Sequence, residues 1–291
     1  MKNMVKGLWR LNMDFNDKEF TLLSYEQTFG SSKIDVIKRL GVKCALSDFA
    51  ILLGANISDS SNVDDDSSLK GRIGWWYLSS VNDNGNVRDV SFTDYGWSRS
   101  YVDSGGIRPV LPYSNISDIS SNGVRGRSGL LEVEYGEYIQ YAVDSRLGRT
   151  LEDEFLASML KRTRKIYTTN SRRWDENSKK YVPVEYEEFE YKGKKYVRVI
   201  SNCYKETKLS NGVDVKPGDI VWLSVSPITW YVDESSKMIV SKTLLASGIC
   251  FCNDSKYTGD FKTTEMYKYL NKNFAKDIIP SVIHEMTPEE K

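Results

Sequence analysis

The sequence predicts an α+β, β-rich fold, and three observations carry that expectation. Short β-prone runs outnumber helical periods, about ten to three or four. Turn residues such as Asn84-Gly85, Asn211-Gly212 and Pro217-Gly218 punctuate the runs. Strands and helices do not alternate in the βαβ manner of a parallel sheet.

Residues 31–41, SSKIDVIKRLG, read as a short helix. Ser32 and Asp35 stand at capping-box spacing, Ile34, Ile37 and Leu40 share a face, and Gly41 can stop it. CALSDFAILLGA, 44–55, is apolar enough for burial. The polar stretch 57–70 reads as a loop; without a turn glycine or a closing glutamate, its aspartates do not make a calcium loop. Residues 74–92 read as a hairpin about Asn84-Gly85, because a type I′ turn needs positive φ at both central positions. IRPVLPY, 107–113, is a strand whose two prolines mark an edge or an end. The clearest linker is 114–128, rich in Ser, Asn and Gly.

Beyond the linker, LLEVEYGEYIQYAV alternates as a strand does. Thr150 with Asp153 predicts a capped helix over 151–161, with Leu151, Phe155, Met159, Leu156 and Leu160 on one face. Strands are expected at 186–191, 195–201, 219–225, 228–233, 237–241 and 247–252. A last helix near 264–275 places Met266, Tyr267, Leu270 and Phe274 together.

Composition excludes several function classes. Of the 291 residues, 40 are Lys or Arg and 40 are Asp or Glu. Residues 1–129 hold 15 of each sign and 130–291 hold 25, so neither half has the bulk charge of a nucleic-acid-binding domain. A single histidine, His284, leaves no material for a histidine-based triad or a multi-histidine metal site. Lys6, Arg10 and Asp14 interrupt the start, so no signal peptide is read there. No run approaches the roughly 18 apolar residues of a membrane span, and the expected location is cytoplasmic. Phosphate-cradling glycine loops and a G-x-S-x-G elbow are missing. The four cysteines do not form a small-domain disulfide framework. On a strand, Cys250 and Cys252 would face the same way, but zinc needs four ligands and no second close pair exists. They read as packing cysteines, and no metal or cofactor is expected.

Two segments stand out as binding candidates. TDYGWSRSYVDS, 93–104, mixes rigid aromatics with small adaptable residues, the composition of binding loops. The alternative is an aromatic loop folded over the core. KRTRKIYTTNSRR, 161–173, holds six basic residues and no acid: Lys161, Arg162, Arg164, Lys165, Arg172 and Arg173. It would attract a phosphate backbone or an acidic protein surface. Its bland alternative is a solvated helix end paired with the acidic 185–190 segment.

The stretch WWYLSSVNDNGNVRDVSF…GGIRPVLPY resembles an uncharacterised bacterial domain family in which a "WW-L-S" strand leads to a hairpin and ends in a "G-(V/I)-R-P" strand. That family is similar to the formylglycine-generating-enzyme (sulfatase-modifying factor) and C-type lectin-like fold. The matching positions are Trp75, Trp76, Leu78, Ser79, Gly106, Ile107, Arg108 and Pro109. Three later runs, EYGEYIQ (134–140), SPITWYVDESSKMIVSKTLL (226–245) and MYKYLNKNFAKDI (266–278), resemble elements that open the same domain. Here they follow the elements they precede in the family. The resemblance thus implies a lectin-like fold with its halves in permuted order: segment 1–113, linker 114–129 and segment 130–291, packed as one unit. Two incomplete modules that complete each other within or between chains are the other arrangement.

The formylglycine-generating enzymes use a cysteine pair near the domain end to bind copper, and the matching neighbourhood 93–113 has none. The calcium signatures of C-type lectins are missing too. What the resemblance implies is a scaffold that displays loops, with binding residues just before the terminal "G-R" strand. On that reading Asp94, Tyr95, Trp97, Arg99 and Tyr101 are the expected contacts, and Arg162, Arg164, Lys165, Arg172 and Arg173 form a secondary basic patch. The leading expectation is a non-catalytic protein that recognises a protein partner through 93–104, with nucleic acid only through the basic patch. Its rivals are a phage or mobile-element inhibitor of an intracellular bacterial defence complex, a virion or surface adhesin, and, weakest, a copper-dependent oxidase using Cys250 and Cys252.

Overall fold

The structure is a computed structural model that describes residues 19–58, 72–91, 96–99, 105–113, 124–125, 129–159, 167–175, 180–252, 257 and 259–275. The side chains of 58, 97–99, 124–125, 167–175 and 180–185 are outside that description. It is a strand-rich α+β architecture. In the first segment α1 (Tyr25–Thr28), α2 (Asp35–Leu40), β1 (Cys44–Ala45), α3 (Asp48–Leu52) and β2 (Ile57–Ser58) precede β3 (Ile73–Gly74). Then come β4 (Trp76–Val81), β5 (Val87–Val90), β6 (Gly96–Arg99), β7 (Val110–Pro112) and β8 (Val124–Arg125). The second segment runs β9 (Leu131–Ala142), α4 (Ser145–Met159), β10 (Tyr167–Asp175), β11 (Lys180–Tyr191), β12 (Lys194–Ile200), β13 (Thr207–Lys208) and β14 (Asp214–Val215). It closes with β15 (Ile220–Asp233), β16 (Met238–Ser241) and α5 (Glu265–Lys268), which continues as a π-helix over Tyr269–Phe274.

β15 is the spine of an eight-stranded antiparallel sheet ordered β10-β11-β12-β15-β16-β7, with β9 also on β15 and β8 on β9. The expected strands 219–225 and 228–233 are thus one strand, continuous through Pro227. A proline cannot donate to the ladder, and the pairing with β9 shifts register between Pro227 and Thr229. The buried Gln140 repairs that break: its amide nitrogen donates to the carbonyls of Ser226 and Pro227, each at 2.9 Å. β7, from the first segment, forms the far edge by pairing with β16, Pro112 opposite Met238. Leu46 bridges to Leu244 and Ile107 to Ala246, so both segments share one sheet and one hydrophobic core. Trp75, Trp76 and Trp230 lie at its centre. Burial of each large apolar side chain contributes up to about 3 kcal/mol.

Several elements differ from expectation for identifiable reasons. The helix expected over 31–41, α2, starts at Asp35, with Ile34 rather than Ser32 in the cap position. Gly41 does end it, at φ +73°. α4 starts at Ser145, before the expected Thr150, because the Asp144 carboxylate accepts from the Arg146 amide at 2.8 Å. Leu151 and Phe155 are buried as expected, but Leu156 and Met159 are exposed, so the buried stripe is narrower. The hairpin turn at Asn82–Gly85 is not type I′: Gly85 alone has positive φ, and the Asn82 side chain accepts from the amides of Asn84 and Asn86. Both central residues have positive φ instead at Lys192-Gly193, between β11 and β12. Residues 247–252 form no strand. Of the basic run, 167–175 is a strand and not a helix end, paired with β11 from Tyr167–Tyr186 to Asp175–Lys180.

α4 packs on the sheet through a small second core of Leu151, Phe155, Tyr196 and Trp222. Phe155 meets the Trp222 ring edge-on at 5.4 Å. At its margin Arg198 grips Glu152 with two hydrogen bonds, 2.9 and 3.0 Å, while the Trp222 indole donates to the same carboxylate at 2.8 Å.

Candidate functional site

The candidate site is built on the three-stranded meander β4-β5-β6 and the helix laid beside it. Ser24 and Gln27 form a reciprocal capping box that fixes the first turn of α1. The Tyr25 amide donates to Ser80 Oγ at 2.8 Å and the Ser79 amide to the Leu23 carbonyl at 2.9 Å, tying α1 to β4. That anchoring sets two partly exposed rings, Tyr25 and Phe29, side by side at 5.3 Å. Arg88, from β5, places its guanidinium 4.0 Å over the Tyr25 ring and donates Nε–H to the Val81 carbonyl at 3.2 Å. A guanidinium over a tyrosine face in partly exposed surroundings contributes roughly 0.5–1 kcal/mol and holds both groups in one orientation.

β6 passes directly against this pair. A Cβ at Gly96 would lie 2.9 Å from the Tyr25 ring and 3.1 Å from the Phe29 ring, so only glycine permits the approach. The 93–104 segment is therefore not wholly a loop: Gly96–Arg99 is a strand whose hydrogen bonds to β5 override its weak alternation. Trp97 stands opposite Asp89 and Arg99 opposite Val87. Asp89 and Val87 are both buried. Asp94, Tyr95 and Tyr101 lie outside the described residues. The chain re-enters the core at Gly105, where a Cβ would fall 2.5 Å from the Trp75 ring.

The basic patch lies in the other sheet. Arg172 and Arg173 occupy β10, opposite Pro183 and Val182, at the end of the eight-strand order. Arg162, Arg164 and Lys165 lie outside the described residues. Lysine and arginine on a terminal strand also discourage strand-to-strand aggregation, so their placement there has a protective reading as well.

Cys250 and Cys252 are not joined in a disulfide; Cys252 is buried, and Cys250 Sγ lies 3.0 Å from the Cys252 carbonyl oxygen. Burial pushes the thiols of Cys44 and Cys203 above the usual range, which keeps them protonated. Among the described residues no three His, Cys, Asp or Glu side chains gather as metal ligands, and no helix is long and apolar enough to cross a membrane.

Of the expected contacts, Trp97 and Arg99 lie on the strand that passes this cluster, while Tyr25, Phe29 and Arg88 are not among the residues the sequence singles out. A local signal existed: Tyr25 and Phe29 are four apart, and Tyr25 directly follows Ser24, the first residue of the Ser24-x-x-Gln27 cap. Nothing local links them to Arg88, which arrives through the hairpin. Compared with family models, curated proteins and solved structures, the chain matches none.

Proposed function

We propose that the chain is a binding protein that recognises a protein partner through the surface where β6 meets α1, on a lectin-like scaffold whose two halves run in permuted order. The observation that carries this reading is the cluster of Tyr25, Phe29 and Arg88 held against the strand that bears Trp97 and Arg99. Aromatic and arginine side chains dominate the binding energy of protein interfaces, and a pre-ordered cluster loses little entropy on docking. The permuted order is supported by β7 and β16, which come from opposite segments and pair in one sheet.

The test is capture of partners from a bacterial lysate by the immobilised full chain, with Arg88→Ala, Trp97→Ala and Tyr101→Ala beside the unaltered protein. A specific partner retained by the unaltered chain should be lost at least tenfold in the three variants, with melting temperatures within about 2 °C. Undiminished capture overturns the reading, and so does a melting temperature that collapses with Trp97→Ala, which would make that residue core. The identity of the captured partner sorts the remaining possibilities: a nuclease complex favours an inhibitor of cellular defence, and a surface receptor favours an adhesin.

A further inference from the structure

A second surface, remote in sequence from the aromatic cluster, has the form of a peptide groove. It is a concavity of about 440 Å³ between the first half of α4, the β13–β14 hairpin and the start of β15. That volume falls in the range of roughly 300–1,000 Å³ that small-ligand and side-chain sites occupy.

Its walls are fixed. The Asn211 side chain donates to the Val143 carbonyl at 2.8 Å, clamping the hairpin tip to the strand end that leads into α4. The Val143 amide in turn donates to the Trp222 carbonyl at 3.0 Å. Ser210, next to the clamp, hydrogen-bonds through both its amide and its hydroxyl to the buried Asp48 carboxylate. The groove therefore exists before any ligand arrives.

Its chemistry is divided between floor and rim. Leu209, Val215, Val221 and Trp222 line the interior and are themselves buried. At the lip the apolar surface continues into water: Val213 is 42 % and Ile220 50 % exposed, and Ile200, opposite Ile220 in register, is 47 % exposed. These are unusual positions for aliphatic side chains, since an exposed site of this kind is an easy place for Thr or Lys. Around them stand Asp144, Asp214 and Asp219, all exposed, with Arg149 the one cation of the lining. Glu152 also lines the groove, but its charge is committed to Arg198. Asp214 pairs with an exposed Lys208 at 3.6 Å.

We propose that this groove docks an apolar peptide segment of a protein partner, flanked by lysine or arginine. The apolar side chain enters between Val213 and Ile220, and the flanking cations face the three aspartates. Charge complementarity selects this occupant over an acidic peptide, and the exposed apolar lip selects it over a purely basic one. The site stands independently of the aromatic cluster on α1 and β6.

Fluorescence anisotropy with three short labelled peptides tests it on the full chain: alternating Leu and Lys, alternating Leu and Glu, and alternating Ser and Lys. The Leu/Lys peptide should bind at least about tenfold more tightly than either control. Val213→Thr with Ile220→Thr, which keeps the β-branched shape, should weaken it about tenfold. Asp144→Asn, Asp214→Asn and Asp219→Asn together, which keep side-chain acceptors for the backbone amides, should abolish the preference over Leu/Glu. Photo-crosslinking of the Leu/Lys peptide to the unaltered protein should label 143–152 or 209–222. Equal binding of the Leu/Lys peptide and either control, full affinity in the threonine variant, or labelling confined to other segments would overturn the proposal.

Discussion

Asp233 caps a helix that begins almost two hundred residues before it, its Oδ2 accepting from the Val36 amide at 2.9 Å. The cap position of that helix holds Ile34, which has no acceptor, so the hairpin between β15 and β16 supplies what the local sequence lacks. The other oxygen accepts from the hydroxyls of Ser235 and Ser236 and from the Ser236 amide.

Asp233→Ala should therefore destabilise the chain by about 1–3 kcal/mol in urea unfolding at neutral pH, since it removes a cap and strands buried donors. Burial opposes ionisation of Asp233, but the hydrogen bonds from Val36, Ser235 and Ser236 outweigh it and hold the carboxyl below its ordinary range. Because the folded value lies below the unfolded one, near 3.9, its stabilisation is complete above the unfolded value. It is lost as pH falls through the folded one. Asp233→Asn should be less stable at pH 7 and lose less on acidification; parallel acid limbs for the two proteins would contradict this.

Asp48 and Arg72 form an ion pair at 2.6 Å with both side chains sealed from water, and the Asp48 carboxylate also takes the Ala142 amide at 2.8 Å. Removing one partner leaves a buried charge, a loss of about 3–5 kcal/mol. Asp48→Ala and Arg72→Met should each be severe, while the double variant should cost far less than their sum. A double-mutant cycle read by chemical denaturation measures this, and additive losses would show the pair to be uncoupled.

Gly106→Ala would bring a methyl group 2.5 Å from Leu244 Cδ1. Overpacking of this kind costs about 1–3 kcal/mol, and the melting temperature should fall accordingly. Gly193→Ala, with no atom within 4 Å of the new Cβ but φ at +71°, should cost about 1 kcal/mol through backbone strain alone. A milder effect at Gly106 than at Gly193 would show that the core yields at Leu244.

Glu152→Gln weakens the anchor of α4 without touching the main core. Burial disfavours the Glu152 charge, yet hydrogen bonds from Arg198 and Trp222 prevail and lower its pKa. Amide exchange in α4 should accelerate about tenfold while the β9–β15 ladder stays protected. Uniform acceleration across the sheet would mean that α4 and the main core unfold together.

What the sequence disclosed depended on whether the deciding contact was local. Gly41 ends its helix because positive φ is a property of one residue, and the buried run 44–55 follows from composition alone. Asn84-Gly85 marked a hairpin correctly, yet the Asn82 side chain imposed a different turn, and the tight turn expected there formed at Lys192-Gly193. Ser32 lost its place to a carboxylate from β15, and Thr150 to Asp144. The same limit governs the candidate site. Composition draws attention to Trp97 and Arg99, whereas Tyr25, Phe29 and Arg88 come together only when α1 and the hairpin meet. No periodicity foretells that meeting.

The pairing of β7 with β16 also places the protein on a clock. Pro112 leaves the ribosome 126 residues ahead of Met238, the residue it must lie beside. At roughly 5–20 residues per second, that interval lasts about 6–25 s. Throughout it, one edge of the nascent first segment and the apolar residues behind it have no partner within the same chain. Biogenesis of this fold thus requires either shielding by a chaperone or a rate of aggregation slower than translation.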